Sequence, residues 1–462
     1  MKKKQYPIYS SISAAILSIM SSQISHAGAF SLYTESSAGA VGNYAAGVAA
    51  EAADASTAWY NPAGLVLLKK QEVLVSGVGV FPSTKLTGVS TFNTPDFEPY
   101  VQSFNGLQGA ESALVPAFHY AQPLNEHSAF GLSIVAPFGL SSDWGTKSPL
   151  RYAATRTQLK TIDVSPDLAA RLTDHLSFGA GIDVQWAEVK FNGVLGAPTV
   201  LQEAESLGYA VVPTTYDSTS ENQGHSIGFG LHTGLLATFD NNHTRIGLNY
   251  QSKINHQFIG SSTLRGRLAD PLLTDPNAVF SANVLSSNGV DLPYVLTLSG
   301  YKDVNTKWAL LGSLVYTGWN SFNEIQLNNV AAYSFADDRP TLVNSTATEH
   351  YRDVWRIAVG ANYHVNDQWM MRFGGGYDQT PTVNAERDVR LPDANRWALS
   401  IGSHYQFKPN LGVDVGYTYL FALNNPIVNK TQPIGTTSSL TVNAEGNVHA
   451  QLIGAQIVWA ID

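Results

Sequence analysis

The chain has 462 residues, of which 14% are charged, 44% hydrophobic and 11% aromatic, with 39 glycines and no cysteine. Without cysteine there is no disulfide framework and no thiolate metal site, and the charge content lies far below the globular norm of about 25%. An acidic balance, net −9 overall, argues against nucleic-acid binding.

Residues 1–27 read as an export signal. Lys2, Lys3 and Lys4 form a basic start, Ala14-Ala15-Ile16-Leu17 centre a short apolar stretch, and Ser25-His26-Ala27 fits a small-x-small cleavage site. The expected mature chain begins at Gly28. Its 24 basic and 36 acidic residues, the signal having removed three lysines and no acid, give a net charge of −12. Beyond the signal no apolar run is long enough to cross a bilayer as a helix.

Residues 28–70 precede the first strand. The run Asn43 to Ala58 is alanine-rich and helix-competent, and Asn61-Pro62 stops it. The segment is not hydrophobic enough to cross a membrane, so the expectation is burial inside a barrel. From residue 71 onward the chain alternates with period 2. Trp355, Ile357, Val359, Ala361 and Tyr363 alternate with Arg356, Ala358, Gly360, Asn362 and His364, and the runs from Arg396 and from Leu411 repeat the pattern.

Aromatic spacing separates a membrane barrel from a soluble sandwich. Trp308/Tyr316, Trp355/Tyr363, Trp369/Tyr377 and Trp397/Tyr405 each lie eight residues apart on the apolar face. On a tilted strand that is about 20 Å of vertical separation, close to the apolar band of an outer-membrane barrel between its aromatic girdles. Short turns at 122–126, 172–175, 240–243, 303–306, 365–368 and 408–410 alternate with long excursions at 82–112, 140–156, 192–224, 261–292, 320–347, 379–393 and 422–446. The expected fold is therefore all-β: a fourteen-stranded antiparallel transmembrane β-barrel over 71–462, plugged by a small, partly helical N-terminal hatch over 28–70.

Gly28-Ala29-Phe30, Glu35-Ser36-Ser37-Ala38-Gly39, Ala52 to Thr57 and Asn61-Pro62-Ala63-Gly64-Leu65 resemble the hatch of the FadL-type long-chain fatty acid and hydrocarbon transporters. The resemblance continues through Val115-Pro116, Pro137-Phe138-Gly139-Leu140, Tyr351 to Gly360 and Pro392-Asp393-Ala394-Asn395-Arg396-Trp397. It implies a bacterial outer-membrane protein that captures hydrophobic substrate on external loops, passes it to a luminal site and releases it sideways through the wall. It implies no ATP and no prosthetic group, and the histidines, with no H-E-x-x-H and no metal-ligand spacing, lead to no expected metal. The expected partners are a long-chain fatty acid or hydrocarbon, outer-membrane lipid and lipopolysaccharide, and the barrel assembly machinery, with no nucleic acid.

The resemblance also implies site residues. Phe30 is expected in the luminal ligand site or as a packing anchor, and Asn61, Pro62 and Ala63 are expected to hold the hatch's shape. Pro137-Phe138-Gly139 either ends a strand or kinks it inward to open the wall, and the resemblance favours the kink. The basic positions that hold a carboxylate in the family align with Gly193 and Gln326, so Lys190, Arg356 or Arg372 is the expected substitute, or the substrate has no carboxylate. Arg356, Arg372 and Arg396 could equally stabilise the lumen through ion pairs. Apolar residues in the loops, Val200, Leu201, Leu207, Tyr209, Val211 and Val212, then Leu264, Leu268, Leu272, Leu273, Val279 and Phe280, suggest a capture groove.

In the run Ser177 to Phe191 the apolar residues change phase near Trp186-Ala187, which suggests a strand emerging above the bilayer rather than a bulge. Gly224-His225-Ser226-Ile227-Gly228 matches a hydrolase nucleophile elbow, but a strand follows where a helix is needed, and no catalytic residue is expected. A barrel hydrolase or an adhesin remains the alternative of another class.

Overall fold

A computed structural model of the chain describes residues 30–461; the expected signal and the expected new N-terminus at Gly28 lie outside the described residues. Fourteen antiparallel strands close into a barrel. In chain order the strand segments are β1 (Gln71–Asn93), β2 (Tyr100–Gln108), β3 (Ala113–Asn125), β4 (Ser128–Val135), β5 (Gly139–Asp143), β6 (Arg156–Thr173), β7 (Leu176–Phe191), β8 (Gly193–Leu195), β9 (Ser218–Phe239), β10 (Thr244–Gln251) and β11 (Ile254–Arg265). They continue with β12 (Val279–Leu292), β13 (Val295–Asp303), β14 (Trp308–Thr317), β15 (Glu324–Ser334), β16 (Arg339–Thr348), β17 (Val354–His364), β18 (Trp369–Asp378), β19 (Arg396–Lys408), β20 (Leu411–Ala422), β21 (Ile427–Ile434) and β22 (Ser438–Ile461). Around the wall the order is β1, β3, β4 with β5, β6, β7, β9, β10, β13, β14, β17, β18, β19, β20 and β22, the other segments extending the external hairpins, and β22 closes the ring on β1 from Gln71↔Ile461 to Asn93↔Ser439.

The long excursions expected as loops are largely hairpins. β1 continues into β2, β11 into β12, β15 into β16 and β21 into β22, all still paired. Above the bilayer both faces of a strand can be polar, so the alternation that marks a strand fades while its ladder of hydrogen bonds continues.

The outer face carries two aromatic girdles, and strand register explains them. Trp308 stands opposite Tyr363 and Tyr316 opposite Trp355 on neighbouring strands, and the next pair repeats this with Trp369 opposite Tyr405 and Tyr377 opposite Trp397. Ring centroids lie 4.6 Å apart for Trp308/Tyr363, 4.7 Å for Tyr316/Trp355 and 5.1 Å for Tyr377/Trp397. An eight-residue Trp-to-Tyr spacing on antiparallel neighbours thus puts one Trp and one Tyr at each rim.

The hatch fills the lumen. It holds α1 (Ala38–Asn43), α2 (Val48–Glu51), α3 (Thr57–Tyr60) and a 3-10 turn, Pro62–Leu67, before β1. The helix expected across Asn43 to Ala58 is broken into single turns, with Tyr44, Ala45 and Ala52 in the left-handed region. The barrel wall takes over backbone groups that a helix would pair internally. Gly47 N–H donates to Ser313 Oγ at 2.8 Å and Ala49 N–H to Ser299 Oγ at 3.2 Å. Close contact with the wall requires glycines there, Gly234 and Gly416 among them. A Cβ on Gly234 would stand 1.9 Å from Asn61 Oδ1, and one on Gly416 would stand 2.4 Å from the Ala38 carbonyl.

α4 (Pro198–Ser206) lies in the external loops. Of the apolar loop residues expected to form a groove, Leu201, Leu264 and Leu268 are buried, the last two in a small core with Ala331 and Phe280. Leu207, Tyr209 and Leu272 remain 70%, 67% and 78% exposed. The loops therefore pack on one another first and leave a subset of greasy residues outside.

Candidate functional site

Two cavities sit in the lumen, one above the other, with aromatic residues between them. The upper has about 530 Å³ of empty volume and is lined by Phe30, Leu140, Leu159, Val189, Phe191, Phe258, Val290, Phe322, Ile325, Tyr351 and Leu391. Besides the Tyr351 hydroxyl, its polar lining comes from Thr157, Gln158, Glu349 and Arg390. The lower, about 470 Å³, is lined by Tyr33, Trp59, Pro137, Phe138, Asp163, Asp183, Gln185 and Gln251 among others. Leu292 lines both.

Phe30 is 3% exposed and central to the divider. Its ring centroid lies 4.5 Å from Trp319, 5.3 Å from Phe322 and 6.3 Å from Phe138, in edge-on contacts. Such pairs contribute about 0.5–1.5 kcal/mol each beyond burial. Phe30 thus lines the cavity and at the same time packs the start of the hatch against the wall.

The segment Pro137-Phe138-Gly139 leaves the wall and turns inward. β4 pairs with β6 up to Val135↔Asp163, and β5 resumes at Gly139↔Lys160, so three residues stand opposite two. On the other side β3 pairs with β4 only as far as Phe118↔Ile134, and the next bridge is Ala110↔Ser142. Between these, residues 111–117 have no ladder partner on β4 or β5. At about 3.3 Å per residue this is an opening roughly 20 Å long in the pairing of the wall. Pro116, which lacks an N–H, stands in that stretch.

The hatch holds the inward segment by its backbone. Leu32 N–H donates to the Pro137 carbonyl at 2.8 Å, and Gly139 N–H to the Phe30 carbonyl at 2.7 Å. From the wall, the Thr161 hydroxyl accepts from Phe138 N–H at 2.9 Å and donates to the Phe138 carbonyl at 2.7 Å. The start of the hatch and the kink are therefore tied to each other backbone to backbone.

Asn61 is fully buried and joins three pieces of chain. Its Nδ2 donates to the Ala49 carbonyl at 2.6 Å and to the Leu235 carbonyl of β9 at 2.9 Å, while Oδ1 accepts from Ala63 N–H at 3.1 Å. Pro62 follows as the first residue of the 3-10 turn, where its missing N–H costs nothing. Asn61→Ala should loosen the hatch by about 1–3 kcal/mol, the cost of leaving buried polar groups unpaired. The expected result is a folded barrel with higher single-channel conductance; unchanged conductance would remove this role.

The expected carboxylate partners lie elsewhere. Lys190 stands on the face of β7 opposite Val189, beside Glu188 at 3.9 Å, and so points away from the lumen. Arg356 lies over the Tyr44 ring at 3.9 Å and donates to the Tyr44 carbonyl at 3.2 Å. Arg372 pairs with Glu51 at 2.8 Å and Asp414 at 3.3 Å. Both arginines hold the hatch and neither lines the upper cavity. Arg396 pairs with Asp378 at 3.1 Å and Asp393 at 3.7 Å. Gly193 sits in β8 and Gln326 in β15, outside the lining of the upper cavity.

The phase change in β7 has a different cause from the one expected. β7 and β9 stay in register from Leu176↔Ala237 to Lys190↔Gln223. Odd residues face inward throughout. Ser177, Asp183 and Gln185 meet the polar lower lumen, and Ala187 and Val189 join the apolar cluster around the upper cavity. The lining changes character while the strand does not. That inversion, apolar residues appearing on the luminal face, is a signal of the cavity carried by the sequence pattern. Phe258, inward on β11 beside His256, carries the same signal.

The lower cavity borders a buried polar network. His232 lies 2.6 Å from Asp167 and 2.7 Å from Asp183, Ser165 donates to Asp163 and Asp183 at 2.8 Å each, and Gln185 joins Asp163 at 2.8 Å to His256 at 3.0 Å. At the upper cavity, burial and the neighbouring Asp388 push the Glu349 carboxyl well above the usual carboxylate range, toward its neutral form.

The family of outer membrane protein transport proteins (OMPP1/FadL/TodX) matches residues 18–460. The chain belongs to this family. A long-chain fatty acid transport protein of Escherichia coli is 30% identical over 88% of this chain and 90% of its own length. Outer membrane protein P1 of Haemophilus influenzae is 29% identical, over 94% of this chain and 95% of its own. Among solved structures, a Pseudomonas aeruginosa FadL homologue superposes with a TM-score of 0.78 at 24% identity, covering 94% of this chain and 100% of that one. The Ralstonia pickettii toluene transporter TbuX gives 0.62 at 18% identity, over 93% and 100%. These structures share the fold. As a member of the family, the chain is an outer-membrane transport protein, and its place is the bacterial outer membrane.

Proposed function

We propose that this protein takes up long-chain fatty acids. Substrate collects on exposed loop residues such as Leu207, Tyr209 and Leu272, enters the upper cavity, passes the Phe30–Phe138 divider and leaves sideways through the opening beside the kink. The observation that carries this reading is the upper cavity: a pocket lined mostly by apolar side chains, with its few charged and amide groups at Glu349 and Arg390 of the external loops and at Gln158 of β6. That distribution suits an amphiphile with a long tail. Lateral exit lets the tail enter the bilayer directly, and each CH₂ kept from water is worth about 0.8 kcal/mol. In this reading residues 1–27 are removed, 28–70 plug the lumen and 71–462 form the wall, in contact with outer-membrane lipid and lipopolysaccharide after insertion by the barrel assembly machinery.

A second reading, hydrocarbons including monoaromatics, is favoured by Gly193 and Gln326 at positions that are basic elsewhere in the family. A deletion strain should lose uptake of radiolabelled oleate and regain it with this chain. Lost toluene uptake with unchanged oleate uptake would decide for hydrocarbons. We also propose that the protein is no enzyme: Ser226 lies within β9 with no helix after it, so Ser226→Ala should leave oleate uptake unchanged, whereas a hydrolase would lose its activity.

A further inference from the structure

If the substrate carries a carboxylate, a cation must meet it in the upper cavity, because an unpaired carboxylate out of water is costly. The positions aligned with the family's basic pair supply none, and the three cations expected to substitute for them lie outside the lining. Among the described residues that line this cavity, Arg390 is the single cation.

We infer that Arg390 is the carboxylate anchor of the upper cavity, and that the fatty acid lies with its head toward the external loops and its tail toward Phe30. The inference rests on the fatty-acid reading above. Arg390 is held in place from several sides. Its Nη1 donates to Asp388 Oδ2 at 2.5 Å and its Nη2 to the Ala153 carbonyl at 2.8 Å. Its backbone N–H donates to Asp388 Oδ1 at 2.8 Å, and its carbonyl accepts from Ser142 Oγ at 3.3 Å. These bonds use two of the five N–H groups of the guanidinium. The remaining donors are free to meet a carboxylate, and a planar fork is the group best matched to one.

The neighbours support the same geometry. Leu391, next in sequence, belongs to the apolar cluster with Phe30, Phe138 and Trp319. One residue thus stands at the polar end of the chamber and the next begins its apolar body. Glu349, the one carboxyl in the lining among the described residues, is pushed by burial and by Asp388 toward its neutral form, which lessens its competition for Arg390. Asp388 does compete: it already shares the guanidinium, so it should weaken the hold on a ligand. With the head fixed at the loops, the tail reaches the Phe30–Phe138 divider first and leads the way to the kink.

The test is equilibrium binding of radiolabelled oleate and methyl oleate to the full-length barrel purified in detergent. Arg390→Gln should weaken oleate about ten- to a hundredfold, the range for a hydrogen-bonded charge pair, and should change methyl oleate by less than about twofold. Arg390→Lys should restore part of the oleate affinity, and Asp388→Asn should tighten oleate alone. Equal losses for both ligands would reduce Arg390 to packing and overturn the inference, as would unchanged oleate binding. Folding of each variant is checked by heat-modifiable migration on gels. A wild-type protein that binds methyl oleate but not oleate would sink the fatty-acid reading itself. A wild type that prefers oleate, with an Arg390→Gln variant that keeps the preference, would sink only the anchor.

Discussion

Straightening the kink should abolish uptake. In Pro137→Thr/Phe138→Val/Gly139→Thr all three residues favour a strand and none blocks a ladder bond. The register permits closure, because Phe118↔Ile134 and Ala110↔Ser142 keep the same offset between the two strands. A straight segment would therefore zip onto residues 111–117 without slipping. With the wall sealed, the tail must leave through water, and two exposed CH₂ groups at about 0.8 kcal/mol each already slow passage about tenfold. Oleate uptake should fall to the level of the deletion strain while the barrel remains folded and heat-modifiable. Undiminished uptake by a folded variant would exclude this route of exit. The substitution also removes Phe138 from the divider, so Phe138→Leu, which keeps the kink and an apolar side chain, serves as the control and should retain uptake.

Arg372→Met should unseat the hatch. Arg372 is 4% exposed and sits between Glu51 of α2 and Asp414 of β20, while Asn362 donates to the same Glu51 oxygen at 2.7 Å. Asp414 also meets His404 at 3.0 Å and Gln456 at 3.2 Å, and Gln456 in turn accepts from Ala38 N–H at 2.9 Å. Removing the cation leaves two carboxylates facing each other in the lumen, a loss of about 3–5 kcal/mol. The wall has its own ladder and should survive. The expected phenotype is a leak: larger single-channel conductance and greater sensitivity to bulky antibiotics. Neutralising the orphaned acids in Arg372→Met/Glu51→Gln/Asp414→Asn should recover part of the seal, since the harm lies in unpaired charge. A single Arg372→Met variant as tight as wild type would show that other contacts hold the plug alone.

The barrel was legible in the sequence because the bilayer imposes a strict code. Each spanning strand must turn apolar side chains to lipid, and its neighbours on the opposite face are free to be polar, so Leu411 to Tyr419 and Trp355 to His364 declare themselves. Trp308, Trp355, Trp369 and Trp397 marked the girdles for the same reason. The hatch was legible by its small residues and Asn61-Pro62, but its helices were not. Propensity favoured one helix across 43–58, and wall hydroxyls such as Ser299 and Ser313 claimed its backbone instead. The strands above the bilayer were hidden because water accepts either face.

The candidate site was legible in part. Phe30 and Pro137-Phe138-Gly139 could each be singled out by the resemblance, but their meeting, joined by backbone hydrogen bonds across more than a hundred residues of chain, could not. Trp319, Phe322, Tyr351 and Arg390 were not singled out, because they come from loops and strand ends where no period marks direction. Arg356 and Arg372 looked equivalent to any luminal arginine until their partners were known. By itself, then, the sequence determined export, an all-β membrane barrel, its aromatic rims and the presence of a plug, since each follows from local pattern read against the bilayer. Only the tertiary structure decided which aromatic rings meet Phe30, which cations clamp the hatch and which one faces the cavity, because a luminal side chain's role depends on what the closed barrel brings opposite it.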